Sequence, residues 1–336
     1  MGVWRSCALT SVHLTLRLLN LVRDAGVTVE LALKSCGVGV ENLTDRAYKI
    51  KLHDEQQILR NTIALLPYKS PCLKIGLAAR VSVYGSLGYA LMTAPTLRAA
   101  LDIASRYPAL IANNFDLIVS QKDGCARVSF ANYNGAIDLR DAYAELALGS
   151  FKTACEDLLG GGLECLKVGV RKRYDEVYYG LYKESFDAEI AFGEFGDYLE
   201  FPDCYLDIPL PFADSVTHHE MCLICARQNY ELAAEREWMG KVKSIISENL
   251  SEPLQLDEIA ERLHCSSRTL RRQLSVCRTS YRQILDDVRY ERAKYLLKSG
   301  ELRTDEIAIS LGFCDGAAFR RAFHRWSGQP PGAYRA

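Results

Sequence analysis

Residues 256–274 read LDEIAERLHCSSRTLRRQL, and residues 304–323 read TDEIAISLGFCDGAAFRRAF. Asp257-Glu258-Ile259-Ala260 returns 48 residues later as Asp305-Glu306-Ile307-Ala308, and each copy runs through a short turn into a second, arginine-bearing segment. In the first copy Leu256, Ile259, Ala260 and Leu263 recur at i, i+3, i+4 and i+7, the stripe of a short helix with one buried face. Asp257 and Glu258 fall in its first turn, where carboxylates meet the positive end of the helix dipole. His264-Cys265 makes the turn and Ser266 is a good N-cap for a second helix. In that helix Leu270 and Leu274 point inward, leaving Arg268, Arg271 and Arg272 outside. The second copy repeats the pattern with Ile307, Ala308 and Leu311, a turn at Gly312-Phe313, an N-cap at Asp315, Phe319 and Phe323 as the buried pair, and Arg320 and Arg321 outside. Leu263 to Leu270 is seven residues and Leu311 to Phe319 is eight, so the second turn is one residue longer. The pattern predicts two helix-turn-helix units in tandem.

Between the units, Tyr281, Ile284, Leu285, Val288, Ala293, Leu296 and Leu297 predict one long amphipathic helix. Such a stiff spacer could hold two recognition helices about one DNA turn apart, roughly 34 Å, on one side of a duplex. An outer face of arginines suits the major groove, because a guanidinium can meet guanine bidentately and phosphate electrostatically.

Residues 307–335, IAISLGFCDGAAFRRAFHRWSGQPPGAYR, carry an ordered set of features: IA, LGF, an N-cap acid, F-x-R-A-F, W-x-G, P and a closing Y-R. The run closely resembles the signature of the AraC/XylS transcription regulators. It departs from it at Gly316 and Ala317, where the family usually carries a polar pair and this chain has nothing to offer a base edge. The candidate DNA-contacting residues are Ser267, Arg268, Arg271 and Arg272 in the first unit, and Ala317, Arg320, Arg321 and Arg325 in the second. A second stretch, GSLGYALMTAPTLRAALDIASRY at residues 85–107, is similar to the effector domain found in the branch of that family with ornithine-utilisation and some virulence regulators. That domain carries an arabinose-binding label by analogy, and no residue here argues for a sugar. The match is looser, and Pro108 departs from the usual continuation.

A chain of 336 residues is long enough for two or three domains with proper cores, and 49% hydrophobic with 25% charged residues is the balance of an ordinary soluble protein. The net charge of −1 conceals a polarity: residues 240–336 hold 17 Lys and Arg against 12 Asp and Glu, a net of +5, which leaves −6 for the rest. A basic nucleic-acid module joined to an acidic regulatory one fits this division. Twelve cysteines scattered through a long chain with good hydrophobic periodicity fit a reducing cytoplasm better than a disulfide scaffold. Cys222-x-x-Cys225 has no second pair at zinc-finger spacing, and burial on one helix face is the simpler reading of it, even with His218-His219 close by. Residues 1–6 fit a loose myristoylation pattern, but His13, Arg17, Asn20 and Arg23 interrupt the apolar run before a signal peptide or membrane span could form.

Taken in order, residues 10–66 read as helical, with breaks at Gly26 and around Gly37 and Gly39, and with Thr28 able to cap a short helix. Pro95-Thr96 starts a helix with Leu97, Ala100, Leu101 and Ala104 inward. Residues 115–119 and 126–130 alternate about Lys122-Asp123-Gly124, a hairpin signal. A helix over 139–159 stopped by Gly160-Gly161-Gly162, a strand at 166–170, a helix at 174–182, and strands at 189–192 and 198–201 about a glycine turn complete an α+β order, with helices on a largely antiparallel sheet. An all-β jelly roll is not expected, since too much helix separates the strands. The glycine triplet closes a helix and lacks a following Lys-Ser/Thr, so it is no phosphate loop. Tyr174, Tyr178, Tyr179 and Tyr182 could line a ligand pocket, although helical spacing makes core and rim the commoner role. Residues 215–238 read as a helix that would transmit ligand state or form a dimer contact, or simply pack on its own domain.

The fold expected is therefore an α+β amino-terminal effector domain over residues 1–211, a linker or dimerisation helix over 212–239, and an all-α carboxy-terminal domain with two helix-turn-helix units over 240–336. No catalytic constellation, metal site or cofactor motif emerges, which points away from an enzyme. The residues speak for double-stranded DNA as the partner. The resemblance implies a cytoplasmic bacterial transcription regulator, an activator working with RNA polymerase, a homodimer on promoter half-sites, and a small-molecule effector. The competing class is a cysteine-based redox- or alkylation-responsive DNA-binding protein, although no cysteine sits in the Pro-Cys-His-Arg setting that alkyl acceptors use.

Overall fold

The computed structural model describes residues 9–11, 13–44, 48–67, 69–111, 114–277 and 279–335, so residues 1–6, weighed above for acylation, lie outside the described part. The chain divides into two compact units, one of residues 10–50 and 54–232, the other built on residues 233–336.

In the first unit the helices of more than one turn ahead of the sheet are α1 (His13–Asp24), α2 (Leu52–Leu65), α3 (Pro71–Leu77), α4 (Ser86–Met92) and α5 (Leu97–Arg106). Thr96 caps α5, its side chain accepting from the Ala99 amide at 3.3 Å, and all four residues of the expected stripe, Leu97, Ala100, Leu101 and Ala104, are buried. Helix α6 (Arg140–Leu159) crosses α3 at a pair of glycines. A Cβ at Gly76 would fall 2.6 Å from the Leu146 carbonyl oxygen, and one at Gly149 would fall 2.8 Å from the Leu77 amide. Only residues without a side chain let the two backbones approach so closely. Gly160, in the left-handed region, ends α6 as expected.

Asp123 and Gly124 both take positive φ, 52° and 77°, the conformation of the two-residue turn whose twist matches that of the strands it joins. They close the hairpin of β1 (Asp116–Lys122) and β2 (Cys125–Ala131), with Lys122 opposite Cys125. The sheet continues with β3 (Lys167–Val170), helix α7 (Glu176–Phe186), β4 (Glu189–Phe192) and β5 (Asp197–Pro202), in the spatial order β1-β2-β5-β3-β4. All its pairings are antiparallel except β3 with β4. The glycine turn between β4 and β5 therefore does not make a hairpin: β4 lies parallel to β3 at the sheet edge, and β5 inserts between β2 and β3. A parallel pair needs a crossover, and α7 supplies it.

Helix α8 (Ser215–Glu248) continues ten residues beyond the end expected from the sequence, through Gly240. Cys225 joins the core of the first unit, and Met239, Val242 and Ile246 join that of the second. Along its outer side Val216, Leu223 and Tyr230 are exposed at seven-residue intervals. His218 is half-buried: its Nδ1 donates to the Ala90 carbonyl at 3.0 Å, and its Nε2 lies 3.7 Å from Cys222 Sγ. Among the described residues no helix is long and apolar enough to cross a membrane.

Candidate nucleic-acid interface

The second unit holds α9 (Leu256–Arg262), α10 (Ser267–Val276), α11 (Tyr281–Ser299), α12 (Thr304–Ser310) and α13 (Gly316–Ser327). The sequence repeat is reproduced as a structural one. At the start of α9 the Gln255 amide donates to Glu258 Oε2 at 2.5 Å, and at the start of α12 the Arg303 amide donates to Glu306 Oε2 at 2.6 Å. Each turn then places one residue in the left-handed region, His264 (φ 52°) and Gly312 (φ 72°). Behind them the Cys265 amide donates to the Ala260 carbonyl at 2.9 Å and the Phe313 amide to the Ala308 carbonyl at 3.0 Å. The repeat is thus exact through the turn, and the extra residue enters after it, at Cys314.

Ser266 caps α10 through its hydroxyl, which accepts from the Thr269 amide at 3.1 Å. Asp315 does the same for α13 with the Ala318 amide at 2.6 Å, and that backbone donor holds the Asp315 carboxyl below its ordinary range. Leu270 and Leu274 of α10 and Phe319 and Phe323 of α13 are buried as expected. Arg268, Arg271, Arg272, Ala317, Arg320, Arg321 and Arg325 are exposed, and Ser267 is half-buried.

The two arginine faces differ in how they are held. Among the described residues no salt bridge ties Arg268, Arg271 or Arg272, and none of the three donates a hydrogen bond to a carboxylate. Arg320 Nη2 instead lies 3.0 Å from Asp305 Oδ1, and Arg325 Nη2 lies 3.2 Å from Asp286 Oδ2. Ser267 Oγ donates to Asp257, the first-unit counterpart of Asp305.

One arginine that sequence reasoning passed over is structural. Arg289 of α11 donates from Nε to the Leu311 carbonyl at 2.8 Å and from Nη2 to the Gly312 carbonyl at 3.0 Å, with its guanidinium 4.5 Å from the Phe313 ring centroid. It sits four residues after Leu285 and four before Ala293, so its place on the apolar stripe was the available signal. Tyr290, Trp326 and Tyr334 complete an aromatic cluster around Phe323, at 5.5 Å from Tyr290 and 5.1 Å from Tyr334. Trp326 and Tyr334 of the W-x-G and Y-R features therefore pack against the core, whereas Arg335 is exposed.

The four candidate ligand tyrosines are held differently, although Tyr174 and Tyr182 both meet Phe192, at 5.6 and 6.0 Å between ring centroids. Tyr182 is buried and stacks on Phe186 at 6.0 Å, Tyr178 lies under Lys172 with its ring centroid 3.7 Å from Nζ, and Tyr174 and Tyr179 are exposed. A cavity of about 50 Å³ lies elsewhere in the first unit, between α5, α6 and the β1–β2 hairpin. Leu101, Ala104, Leu117, Phe130 and Phe151 line it, with Tyr84 and Ser150 as its polar members and none of the four tyrosines. Among the described residues no group of three or more His, Cys, Asp or Glu could hold a metal ion. The described cysteines are all free thiols, and burial raises the pKa of both Cys222 and Cys225.

Residues 26–210 match the family described as the arabinose-binding domain of AraC transcription regulators, N-terminal, and residues 259–336 match a helix-turn-helix domain family. The chain is similar to the ornithine utilization regulator of Pseudomonas aeruginosa, 29% identical over 320 residues that cover 95% of this chain and 94% of the relative. It is also similar to the HTH-type transcriptional regulator VqsM of the same organism, 26% identical over 276 residues, 78% of this chain and 82% of that one. Among solved structures, the transcriptional regulator CdpR from Pseudomonas aeruginosa is 23% identical with a TM-score of 0.47, covering 96% of this chain and 98% of that one. Since the first of these family matches alone takes in more than half of its residues, this chain belongs to the AraC family and is a DNA-binding transcriptional regulator.

Proposed function

We propose that the second unit, which takes in the 240–336 domain read from the sequence, binds two successive major-groove segments of one promoter half-site. Ser267, Arg268, Arg271 and Arg272 supply base and phosphate contacts from α10, and Ala317, Arg320, Arg321 and Arg325 line the approach from α13. The observation that carries this reading is the structural repeat, with Arg268, Arg271 and Arg272 exposed and without salt-bridge partners among the described residues. At 1.5 Å per residue the 19-residue α11 is about 28 Å long, a rigid spacer of the order of one DNA turn. Selection of binding sites from randomised DNA by the full chain at one fixed salt concentration tests it. The expected product is two short preferred elements about one helical turn apart; an unenriched pool would overturn the reading.

On this proposal the first unit, which takes in most of residues 1–211, senses a small molecule, and the segment over residues 212–239, most of it in α8, couples it to the DNA module. The regulator then acts in the cytoplasm as an activator that engages RNA polymerase. The cavity lined by Leu101, Phe130 and Phe151 is the favoured effector site, because two of the four candidate tyrosines are exposed and Tyr182 is packed against Phe186. About 50 Å³ offers on the order of four water-sized positions. An apolar wall suits a small, largely uncharged molecule and not the charged side chain of the ornithine named for one relative. Ala104→Leu should fill the space and abolish the effector response while leaving DNA affinity unchanged. An unaltered response in that variant would exclude the cavity.

A homodimer is supported by Val216, Leu223 and Tyr230, whose seven-residue spacing on the outer side of α8 is that of a helix-pairing seam. Leu223→Glu should shift the protein from dimer to monomer in sedimentation. A dimer of unchanged strength would place the interface elsewhere.

A further inference from the structure

The two helix-turn-helix units treat the acid at the start of their first helix differently, and the difference falls on the arginine of the second recognition helix. Beyond the turn the units align with an offset of 49 residues, so that Ser266 corresponds to Asp315, Ser267 to Gly316, Arg268 to Ala317, Arg271 to Arg320 and Arg272 to Arg321. Before the turn the offset is 48, so Asp257 corresponds to Asp305. In the first unit Asp257 accepts from Ser267 Oγ, and Arg271 stands without a salt bridge among the described residues. In the second unit there is no hydroxyl at 316. Asp305 lies where that side chain would be, with its Oδ1 1.8 Å from the position of a Gly316 Cβ, and it accepts from Arg320 Nη2 at 3.0 Å.

We propose that Asp305 withholds Arg320 from DNA, and that glycine at 316 is what allows it to do so. This rests on the DNA-binding reading given above and sharpens it: the second recognition helix is an attenuated reader because one of its two retained arginines is occupied within the protein. Gly316 is not in the left-handed region, so no backbone demand requires glycine there. The close approach of the Asp305 carboxylate is the demand that glycine meets, and any side chain at 316 turns that carboxylate away. Both partners are largely exposed, with side-chain accessibilities of 53% for Arg320 and 72% for Asp305. An exposed pair of this kind is a bias and not a lock, which corresponds to a change in available Arg320 of about two- to fivefold.

A thermodynamic cycle tests this with the full chain and a duplex recovered by wild-type selection from randomised DNA. Wild type, Asp305→Ala, Arg320→Ala and the double variant are titrated at several salt concentrations. Asp305→Ala is expected to tighten binding about two- to fivefold and to steepen the salt dependence by about one phosphate contact. In the Arg320→Ala background the same substitution is expected to change neither quantity. Gly316→Ser, which restores the hydroxyl and leaves Asp305 intact, should reproduce the tightening, so the result does not hang on one variant that alters the first turn of α12. Equal tightening by Asp305→Ala in both backgrounds would mean simple removal of a negative charge and would overturn the proposal. Weaker binding by Asp305→Ala with the fold retained would mean that Asp305 aims Arg320 at DNA, and would overturn it equally. Absence of any wild-type binding would instead remove the DNA-binding reading on which both rest.

Discussion

Arg289 holds the turn of the second helix-turn-helix unit through Leu311, donating from Nε to its carbonyl at 2.8 Å while Nη2 reaches the next carbonyl, Gly312, at 3.0 Å. The long helix between the two units is therefore more than a spacer, because it fastens the turn on which α13 depends. Hydrogen bonds from a charged donor contribute about 1.5–3 kcal/mol each to stability. Arg289→Ala is expected to destabilise the second unit by about 2–4 kcal/mol. Arg289→Lys should recover little, since an ammonium cannot span both carbonyls as the guanidinium fork does. Urea unfolding checks this, and amide exchange should show residues 311–313 losing protection first.

Phe319 is fully buried beside Phe313 and Phe323, with ring centroids 5.7 Å away in each case. Phe319→Ala should cost about 3–5 kcal/mol through lost burial and the cavity left behind. DNA binding is expected to fail while the first unit keeps its thermal transition, which calorimetry on the full chain would separate.

The recognition helices should not share base reading equally. Arg268 has Ala317 as its counterpart, so α13 lacks one of the side chains that α10 presents. Arg268→Ala or Arg272→Ala is expected to relax base preference in one half of the binding site by about 1–3 kcal/mol of discrimination. Arg321→Ala should weaken binding to all sequences more evenly, as loss of a phosphate contact does. Selection with each variant at one salt concentration reads the difference, and a stronger preference mapping to α13 would contradict it.

Two carboxylates link the second unit to acid. The Arg303 amide on Glu306 and the Ala318 amide on Asp315 hold both carboxyls below their ordinary values. A carboxyl that titrates lower when folded than when unfolded stabilises fully above its unfolded pKa, near pH 4, and this contribution is lost as the pH falls through the depressed folded value. Asp315→Asn with Glu306→Gln should therefore lower stability near neutrality, where the charged contribution is complete, and flatten the fall in stability below about pH 4. An acid limb of unchanged slope would show that these carboxyls are not what links it to protons.

Much of the second unit was legible in the sequence, because the pattern that makes each helix amphipathic is short-range and occurs twice. Ile259 and Ile307, the caps Ser266 and Asp315, and the buried pairs Leu270–Leu274 and Phe319–Phe323 all follow from local periodicity. The pairings of Arg320 with Asp305 and of Arg289 with Leu311 span 15 and 22 residues and depend on how helices dock, which periodicity does not encode. The strands of the five-stranded sheet were legible, whereas the short strand Lys49–Lys51 lies in a stretch that read as helical, and the position of β5 between β2 and β3 was not legible, since a glycine turn looks the same whether or not its strands pair. The end of α8 escaped for a related reason: glycine at 240 lowers the local helix propensity, yet the burial of Met239, Val242 and Ile246 on either side of it keeps the helix going. The tyrosines at 174, 178, 179 and 182 share a segment but differ in exposure, because α7 turns Tyr182 inward and leaves Tyr179 at the surface.

The central claim is that two arginine-bearing helices of one chain engage successive major-groove segments, and missing-contact footprinting of guanines by the full chain tests it most directly. The expected result is two clusters of essential guanines and flanking phosphates about one helical turn apart on one face of the duplex, with the cluster assigned to α10 lost in Arg268→Ala and Arg272→Ala, and with affinity falling steeply as salt rises. A single cluster that survives both substitutions, or binding that is indifferent to salt, would contradict it.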